Sequence, residues 1–256
     1  MSSKYNGFDV FDEYSDRVAE QKTYGAFRTI YVLLGGSGMK IGLRLRKRVL
    51  EAHGRACLPF QQYIWLDTDG RDQNAQTIED SKVMEDRLRF QPEDLVDLRL
   101  PYERVSLFRD MPQEGEWLWK WLDRDFLKEL GHHANAIEGA AQIRSLGRLA
   151  FENMFPEFRQ RFETKGGRLR GPKVTEQSRA FGFDLDEKAL EVVILCSLAG
   201  GTGAGCFIQV GRSIQDLTQN WGLSLNLTGY FLLPEVFRSR LRGEAYEVAQ
   251  ANAYAA

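Results

Sequence analysis

The pattern of apolar and polar positions along the chain predicts a series of buried strands. Thr29 to Leu34 (TIYVLL), Tyr63 to Leu66 (YIWL) and Val192 to Cys196 (VVILC) are short runs without a charged side chain. Such runs, when glycine or polar residues bound them, are typical of parallel strands covered on both faces. Leu223 to Leu233 alternates before it becomes apolar, and it predicts a further strand that ends before Pro234.

Amphipathic helices follow two of these strands. Residues 41, 45 and 49 are apolar at four-residue spacing, and Cys206 to Leu217 has a second apolar face at helical spacing. A strand, a glycine loop, a helix and a strand within about fifty residues form a βαβ unit with a right-handed crossover. The sequence therefore predicts a three-layer, Rossmann-like α/β domain, with a mainly parallel sheet and helices on both faces.

The remaining segments are less regular. Val96 to Leu100 predicts a short strand, and Glu116 to Leu130 and Ala140 to Phe155 each predict one helix. Lys165 to Lys173 (KGGRLRGPK) lacks periodicity and predicts an exposed basic loop. Tyr246 to Ala256 is rich in alanine and predicts a helix.

Composition narrows the range of partners and compartments. The net charge of -2 gives no global positive field, so no nucleic-acid partner is expected. Cys57, Cys196 and Cys206 are widely spaced and form neither a metal-type pair nor a disulfide framework, which favours a reducing cytoplasm. Residues 1–20 lack the apolar run of a signal peptide. Val192 to Gly211 has the length of a membrane span, but its glycine-rich middle favours a strand, a loop and a helix, and no span is expected.

The first glycine-rich loop lies between the first strand and the first helix. It covers Gly35-Gly36-Ser37-Gly38, and Lys40 follows shortly after. Glycines at a helix start let backbone N–H groups approach a phosphate where the helix dipole is positive. Taken alone, the loop also fits a dinucleotide site, in which an acidic residue such as Asp67 would hold a ribose.

The second glycine-rich loop favours a nucleoside triphosphate over a dinucleotide. Ala199-Gly200-Gly201-Thr202-Gly203-Ala204-Gly205 again joins an apolar strand to an amphipathic helix. A triphosphate needs donors from more than one side, whereas a dinucleotide enzyme has no use for a second loop of this density. A close helix–strand crossing would explain one or two of its glycines. The chain has no Gly-Lys-Ser/Thr ending of a Walker loop, so a P-loop NTPase is not expected.

Several motifs resemble the tubulin/FtsZ superfamily. Ala199 to Gly205 matches the tubulin signature, in which a small residue, Gly-Gly-Thr-Gly, a second small residue and Gly follow each other. Asp67-Thr68-Asp69 resembles the acidic segment after the second strand, and Gly131-His132 with Glu138-Gly139-Ala140 is similar to the third phosphate loop. Ala251-Asn252-Ala253 resembles the start of the central helix. "WLDTD" and the arginine-rich first helix are most similar to a divergent bacterial tubulin-like group.

The resemblance implies a role for each matching residue. Asp67 and Asp69 would lie near Mg²⁺ or its waters, although a turn or helix cap is the alternative for both. Asn252 would pair with the guanine edge. Lys40 would face the base where the family carries an amide, and this departure leaves the choice between GTP and ATP open. His132 and His133 would line the site. The residues implied to surround the phosphates are Gly35, Gly36, Ser37, Gly38, Ala199, Gly200, Gly201, Thr202, Gly203, Ala204 and Gly205.

For the whole chain, the resemblance implies an N-terminal arm over residues 1–26 and a nucleotide-binding domain over residues 27–256. This domain would end within the central helix, before a second, activation domain. The implied ligands are GTP or GDP with Mg²⁺. The implied activity is hydrolysis and filament-type self-association when the second domain is present, with poor hydrolysis by this chain alone. A nucleotide-sensing regulatory or scaffold module that forms no dynamic filaments is the alternative, and a dinucleotide-dependent Rossmann enzyme is a second one.

Overall fold

The computed structural model describes residues 23–76, 85–111, 117–130, 136 and 139–256. Its centre is one five-stranded sheet with the strand order β3-β2-β1-β4-β5, in which every neighbouring pair is parallel. The strands are β1 (Tyr24–Leu34), β2 (Gln61–Asp67), β3 (Leu95–Asp97), β4 (Phe183–Ser197) and β5 (Ser224–Leu232).

Helices connect the strands and cover the sheet. Short 3-10 turns lie at Pro92–Asp94, Trp117–Lys120 and Pro234–Phe237. The α-helices are α1 (Gly35–His53), α2 (Gly70–Ala75), α3 (Glu85–Leu88), α4 (Tyr102–Arg109), α5 (Arg124–Leu130), α6 (Arg144–Leu169), α7 (Lys173–Arg179), α8 (Gly201–Thr218) and α9 (Glu244–Tyr254).

The apolar strands bury both of their faces. On β1, Leu33 packs with Met39 and Leu43 of α1, whereas Val32 and Leu34 belong to the cluster on the opposite side. That second cluster includes buried residues of α6 and α8. Successive side chains of a strand point to opposite faces, so a strand without polar residues requires a helix layer on each side. The predicted three-layer α/β architecture with a parallel sheet is confirmed.

The predicted helix over residues 116–130 is wrong as a single helix. A 3-10 turn at Trp117–Lys120 and the helix α5 are separated at Asp123. The carboxylate of Asp123 accepts hydrogen bonds from the N–H groups of Asp125 and Phe126. A side chain that satisfies the free donors of a helix start ends the preceding turn and begins a new helix.

The predicted exposed basic loop at Lys165 to Lys173 is wrong for residues 165–169, whereas residues 170–172 do form a turn. The helix α6 continues to Leu169, and Lys165 is buried in an ion pair with Asp94. The absent side chain of Gly166 makes room for the ring of Trp221, because a Cβ there would lie 2.0 Å from a ring carbon. Tertiary contacts that the local pattern does not show therefore stabilise the helix at Gly166.

Four element starts differ from those predicted. The helices α1 and α8 begin at Gly35 and Gly201, inside the predicted glycine loops, and the strand β1 begins at Tyr24, five residues early. The helix α6 begins at Arg144 because Ala141 and Gln142 have positive φ angles of 44° and 62°. Residues 1–22 lie outside the described residues, so the N-terminal arm remains a prediction.

Candidate functional site

The two glycine turns meet at the carboxyl edge of the sheet. The helix α1 follows β1, the helix α8 follows β4, and these strands are neighbours at the centre of the sheet. The two helices pack on opposite faces, so their N-terminal ends flank a crevice between the strand ends. Ligands of open parallel sheets bind in such a crevice.

A cavity of about 190 Å³ occupies this crevice. Residues from both glycine turns, from the segment after β2 and from the turn before α6 line it together. They are Leu34, Gly35, Gly36, Ser37, Asp67, Asp69, Asp72, Gly139, Ala140, Ala141, Ser197, Gly200, Gly201, Thr202 and Gly203.

The turn at the start of α1 leaves its backbone open toward the cavity. Gly35 has a positive φ of 68°, a conformation that residues with a Cβ rarely adopt. The residue before it, Leu34, provides no side-chain cap to the helix. The first N–H groups of α1 therefore receive no acceptor from the usual capping position, and they are suited to a bound anion.

The turn at the start of α8 is packed against the rest of the protein. A Cβ at Gly203 would lie 2.6 Å from the carbonyl oxygen of Ser197, and one at Gly205 would lie 2.3 Å from that of Arg144. A Cβ at Gly201 would lie 2.7 Å from Cβ of Ala140. Gly200 differs, because its Cβ would meet no atom within 4 Å. Gly200 is also extended, with φ -95° and ψ 167°, and gives α8 no side-chain cap.

A buried pair of hydroxyl groups joins the second turn to the end of β2. The Oγ1 atoms of Thr68 and Thr202 are 2.6 Å apart and form a hydrogen bond. Both threonines are buried. This contact fixes the distance between the α8 start and the acidic segment that follows β2, across one side of the cavity.

Asp67 supplies a buried carboxylate at this end of β2. It is 1% exposed, and its Oδ1 accepts a hydrogen bond from the N–H of Asp69 at 3.1 Å. Its Oδ2 has no hydrogen-bond partner within the described part of the chain. Burial raises the pKa of Asp67 to about 7, and the nearby charges of Asp72 and Asp69 add to the effect.

The two other acidic residues of the cavity differ in their contacts. Asp69 caps α2 by accepting from the N–H of Arg71 at 2.8 Å and from the guanidinium of Arg71. Partial burial would raise the pKa of Asp69, but the hydrogen bonds from Arg71 outweigh it and lower the pKa. Asp72 lies in the first turn of α2, and its carboxylate lies against Gly36.

The structure brings most of the predicted phosphate and metal residues together, but it leaves others outside the cavity lining. Ala199, Gly38, Ala204 and Gly205 lie behind the cavity, where they pack against protein atoms. Gly38, for example, approaches Leu195, with its Cβ position 2.5 Å from that carbonyl oxygen.

Neither predicted base-binding residue lines this cavity. Lys40 is exposed on α1, and Asn252 donates a hydrogen bond of 2.7 Å from its amide to the carbonyl oxygen of Gln142. Asn252 thus supports the turn before α6, of which Ala141 lines the cavity. The roles of Lys40 and Asn252 at a base remain predictions, and His132 and His133 lie outside the described residues.

Asp72 and Ser197 are cavity residues that the sequence interpretation missed. Asp69 and Asp72 are spaced as an N-cap and the third helical residue, so the pattern indicates only an acidic helix start. Ser197 ends an apolar strand, and its hydroxyl accepts from the N–H of Ala199 at 3.1 Å. Only the spatial position of these residues reveals that they line a cavity.

A larger cavity, of about 480 Å³, lies beside α6 and is lined by both acidic and basic residues. Its charges are balanced internally, since Arg161 pairs with Glu157 and Lys165 with Asp94. It therefore offers less to a charged ligand than the crevice between the helix starts.

Two features are absent from the described residues. No helix there is long and apolar enough to cross a membrane. Within the same residues, no group of three or more His, Cys, Asp or Glu side chains is arranged to hold a metal ion. Any ion in the cavity would therefore need ligands beyond these carboxylates, such as water or a bound phosphate.

Comparisons with known proteins place the chain in a family. A family model described as "Tubulin like" matches residues 30–256. A comparison with curated proteins gives no match.

Solved structures with a similar fold include CetZ1 from Haloferax volcanii, as a GDP-bound monomer, at 12% identity and a TM-score of 0.47 over 89% of this chain and 46% of that one. CetZ from Methanosaeta thermophila is similar at 12% identity and a TM-score of 0.46, over 90% of this chain and 42% of that one. CetZ2 from Haloferax volcanii, solved as a protofilament with GTPγS, is similar at 14% identity and a TM-score of 0.43, over 88% and 56% of the chains. This chain spans about half the length of these proteins.

Because the family model covers nearly all of its residues, the chain belongs to the tubulin-like family and contains the nucleotide-binding domain of that family.

Proposed function

We propose that this domain binds GTP or GDP in the 190 Å³ cavity between the starts of α1 and α8. The observation that carries this proposal is that two uncapped helix starts, at Gly35 and Gly201, face one cavity. Each start offers free backbone N–H groups and the positive end of a helix dipole. Two such ends on opposite sides suit the several charges of a nucleoside diphosphate or triphosphate.

The chain's own residues divide the binding between them. The N–H groups of residues 35–37 would bind phosphate from one side, and those of residues 200–202 would bind it from the other. The open space at Gly200 lets the backbone approach the ligand closely. The hydroxyl of Thr202, held by Thr68, supplies a donor at a fixed position.

The carboxylates of the cavity support a role for Mg²⁺. Asp67, Asp69 and Asp72 line the cavity together, and no Lys, Arg or His is among the lining residues that the structure describes. A polyphosphate would meet these carboxylates unfavourably unless a cation lay between them. The unpartnered Oδ2 of Asp67 is a hard oxygen donor that fits this ion, directly or through water. When bound, Mg²⁺ would neutralise phosphate charge and orient the chain of phosphates.

Hydrolysis and assembly are proposed for a protein that also has the second domain of the family. Transfer of a phosphate to water needs a group that orients the water. Among the described residues, the titratable side chains that line the cavity are the three aspartates, which are expected to face the cation. We therefore infer that carboxylates from a neighbouring subunit complete the site, and that self-association and turnover are linked. A nucleotide-sensing module that forms no filaments is the alternative.

Base selectivity is proposed to involve Asn252 and Lys40. The amide of Asn252 contacts the turn before α6, so its replacement would affect both this turn and any base contact. We expect Asn252→Ala to reduce the preference for GTP over ATP by about tenfold, because a lost paired hydrogen bond typically costs about 1–3 kcal/mol. Equal preference in the parent and the variant would contradict this role.

Equilibrium binding tests the proposed ligand directly. Fluorescent GTP is titrated with the chain in excess MgCl2 and is then displaced by unlabelled GTP, ATP or NAD. Displacement by GTP at lower concentration than by NAD supports the proposal, and preferential binding of NAD would overturn it in favour of a dinucleotide enzyme.

Phosphate release, measured against protein concentration, tests the link to assembly. We expect negligible release by this chain at every concentration. Brisk release that does not depend on concentration would mean that a water-activating group lies within the chain.

A further inference from the structure

A further cavity, of about 280 Å³, is lined by Trp121 and by the N-terminal halves of α6 and α8. Arg144 and Arg148 of α6 are among its lining residues, and the described part of that lining contains no Asp or Glu. The crevice at the carboxyl edge of the sheet has the opposite charge, since three aspartates line it. The cavity beside Trp121 is therefore suited to an anion through its side chains alone.

Arg144 has a positive charge at an unfavourable place. It is the first residue of α6, at the positive end of the helix dipole, and Ile143 provides no side-chain cap there. Its Nε donates a hydrogen bond of 3.2 Å to the carbonyl oxygen of Ala204. Within the described residues, no carboxylate forms an ion pair with this guanidinium, and burial lowers the pKa of Arg144. An anion near Arg144 would remove this unfavourable arrangement.

Arg148 lies one turn further along α6 and is held in place by an aromatic ring. Its guanidinium carbon is 3.9 Å from the centre of the Trp121 ring. Burial lowers the pKa of Arg148, Glu152 opposes this effect, and the nearby charge of Arg212 adds to it. The contact with Glu152 is long, with 3.9 Å between Nε and Oε1. One carboxylate therefore balances only part of the positive charge on this side of the cavity.

The chemistry of the lining fits the oxygen atoms of a small anion. A guanidinium presents several N–H donors in a planar fork, which matches the geometry of a phosphate or a carboxylate. The stacked position of Arg148 reduces the conformational freedom that it would lose on binding. Ser145 adds a hydroxyl group to the lining. Sites for small molecules usually start near about 300 Å³, so the volume suits a small ligand.

We propose that Arg144 and Arg148 form a binding site for a small oxyanion, with a phosphate or carboxylate group, that is separate from the nucleotide cavity. The bound anion would neutralise both guanidinium groups and the positive end of the α6 dipole. No divalent cation is needed for this binding, because the described lining contains no carboxylate. The inference does not depend on the proposed binding of GTP.

The test measures the binding of inorganic phosphate and of succinate by isothermal titration calorimetry, in EDTA and at constant ionic strength. We expect the parent chain to bind at least one of them saturably, with a Kd on the order of 1 mM or below. The anion that binds more tightly identifies the head group as phosphate or carboxylate. In Arg144→Gln, and in the double variant with Arg148→Gln, the Kd should rise by at least about tenfold.

Two controls locate the site. Arg159→Gln makes the same change in charge at an exposed position of α6, and it should bind the anion like the parent. Gly200→Val alters the nucleotide cavity instead and should also leave anion binding unchanged. The single variant Arg144→Gln keeps the test valid if the double variant, which removes the Arg148 contact with the Trp121 ring, does not fold.

The outcomes separate this inference from the proposed function. No saturable binding of either anion by the parent chain, or an equal Kd in the parent and Arg144→Gln, would overturn it. Loss of anion binding in Gly200→Val alone would place the anion in the aspartate-lined cavity and would overturn it as well. Arg144→Gln should keep the parent's affinity for GTP in MgCl2, whereas a parallel loss of both ligands would contradict two separate sites.

Discussion

The two glycine turns that face the cavity differ in what surrounds their glycines. At the start of α8, Cβ positions on Gly203 and Gly205 would meet backbone oxygen atoms at 2.6 Å and 2.3 Å. At the start of α1, the three atoms nearest to the Cβ position on Gly36 all belong to the end of the Asp72 side chain. The turn before α8 is therefore fixed by packing against the sheet and α6. In the turn before α1, Gly38 is packed in the same way against the carbonyl oxygen of Leu195, but Gly36 borders a group that can move.

This difference shows why a dense run of glycines does not measure how many of them contact a ligand. Close packing of helices already requires a small residue at Gly205, because Gly147 of α6 lies opposite it. Only Gly200 in this run has open space where its side chain would lie. The ligand-binding role of the second turn should thus depend on Gly200 far more than on its neighbours.

A glycine-to-alanine substitution in each turn should give the largest difference in the free energy of unfolding. Gly205→Ala places a methyl group against the backbone of α6, and we expect it to lower the free energy of unfolding by about 3 kcal/mol. Gly36→Ala displaces only the flexible end of Asp72 and should cost less than about 1 kcal/mol. Urea unfolding of both variants measures this difference, and equal losses would show that the two turns are packed alike.

A smaller effect on the free energy of unfolding is expected from the buried carboxylate of Asp67, which lies between the turns. Burial raises the pKa of Asp67 to about 7, whereas an unfolded aspartate has a pKa of about 4. Between these pH values the folded chain holds a proton that the unfolded chain has lost. The free energy of unfolding should therefore fall as the pH rises from about 4 to about 7.

The variant Asp67→Asn removes this titration. Relative to the parent, it should be more stable at pH 8 than at pH 4 by roughly 2 kcal/mol, while its Mg²⁺-dependent nucleotide binding is lost. Chemical denaturation across this pH range gives the difference between the two chains. Parallel stability curves would mean that Asp67 is charged in the folded state throughout.

The smallest effect should come from the hydroxyl pair that joins the second turn to β2. Thr68→Val and Thr202→Val each leave one buried hydroxyl without its 2.6 Å partner, at a cost of about 1–2 kcal/mol. The double variant should lose about 1 kcal/mol less than the sum of the single losses, because both partners are then gone. Strictly additive losses would show that the two hydroxyl groups do not stabilise each other.

The sequence predicts the strands and the layers of the fold, but it does not predict an element that depends on a distant tertiary contact. Apolar runs such as residues 29–34 predict buried parallel strands because burial on both faces leaves no place for polar side chains. The helix through Gly166 depends on the ring of Trp221, fifty-five residues away in the chain. The local pattern of apolar residues does not reveal such a contact, so the sequence predicts a loop for this segment.

The sequence predicts those parts of the candidate site in which glycines expose backbone N–H groups. The glycines at residues 35–36 and 200–203 follow apolar strands, and that arrangement indicates anion binding at helix starts. Asp72 was not predictable as a cavity residue, because an acidic residue in a first helical turn has an ordinary capping explanation. Its contact with Gly36 exists only in three dimensions.

Nucleotide binding at Gly200 tests the central claim, that the two helix starts form one site. Valine fits the extended backbone at Gly200 and would meet no protein atom with its Cβ, so Gly200→Val should leave the free energy of unfolding unchanged. Gly25→Val is the matched control, because Gly25 has equally open space at the opposite end of β1.

The measurement is the Kd for GTP in excess MgCl2 for the parent chain and both variants. We predict that Gly25→Val binds like the parent and that Gly200→Val loses affinity by about 100-fold or more, because its side chain fills the space of a phosphate. A folded Gly200→Val chain that binds GTP as tightly as the parent would contradict a nucleotide site between α1 and α8.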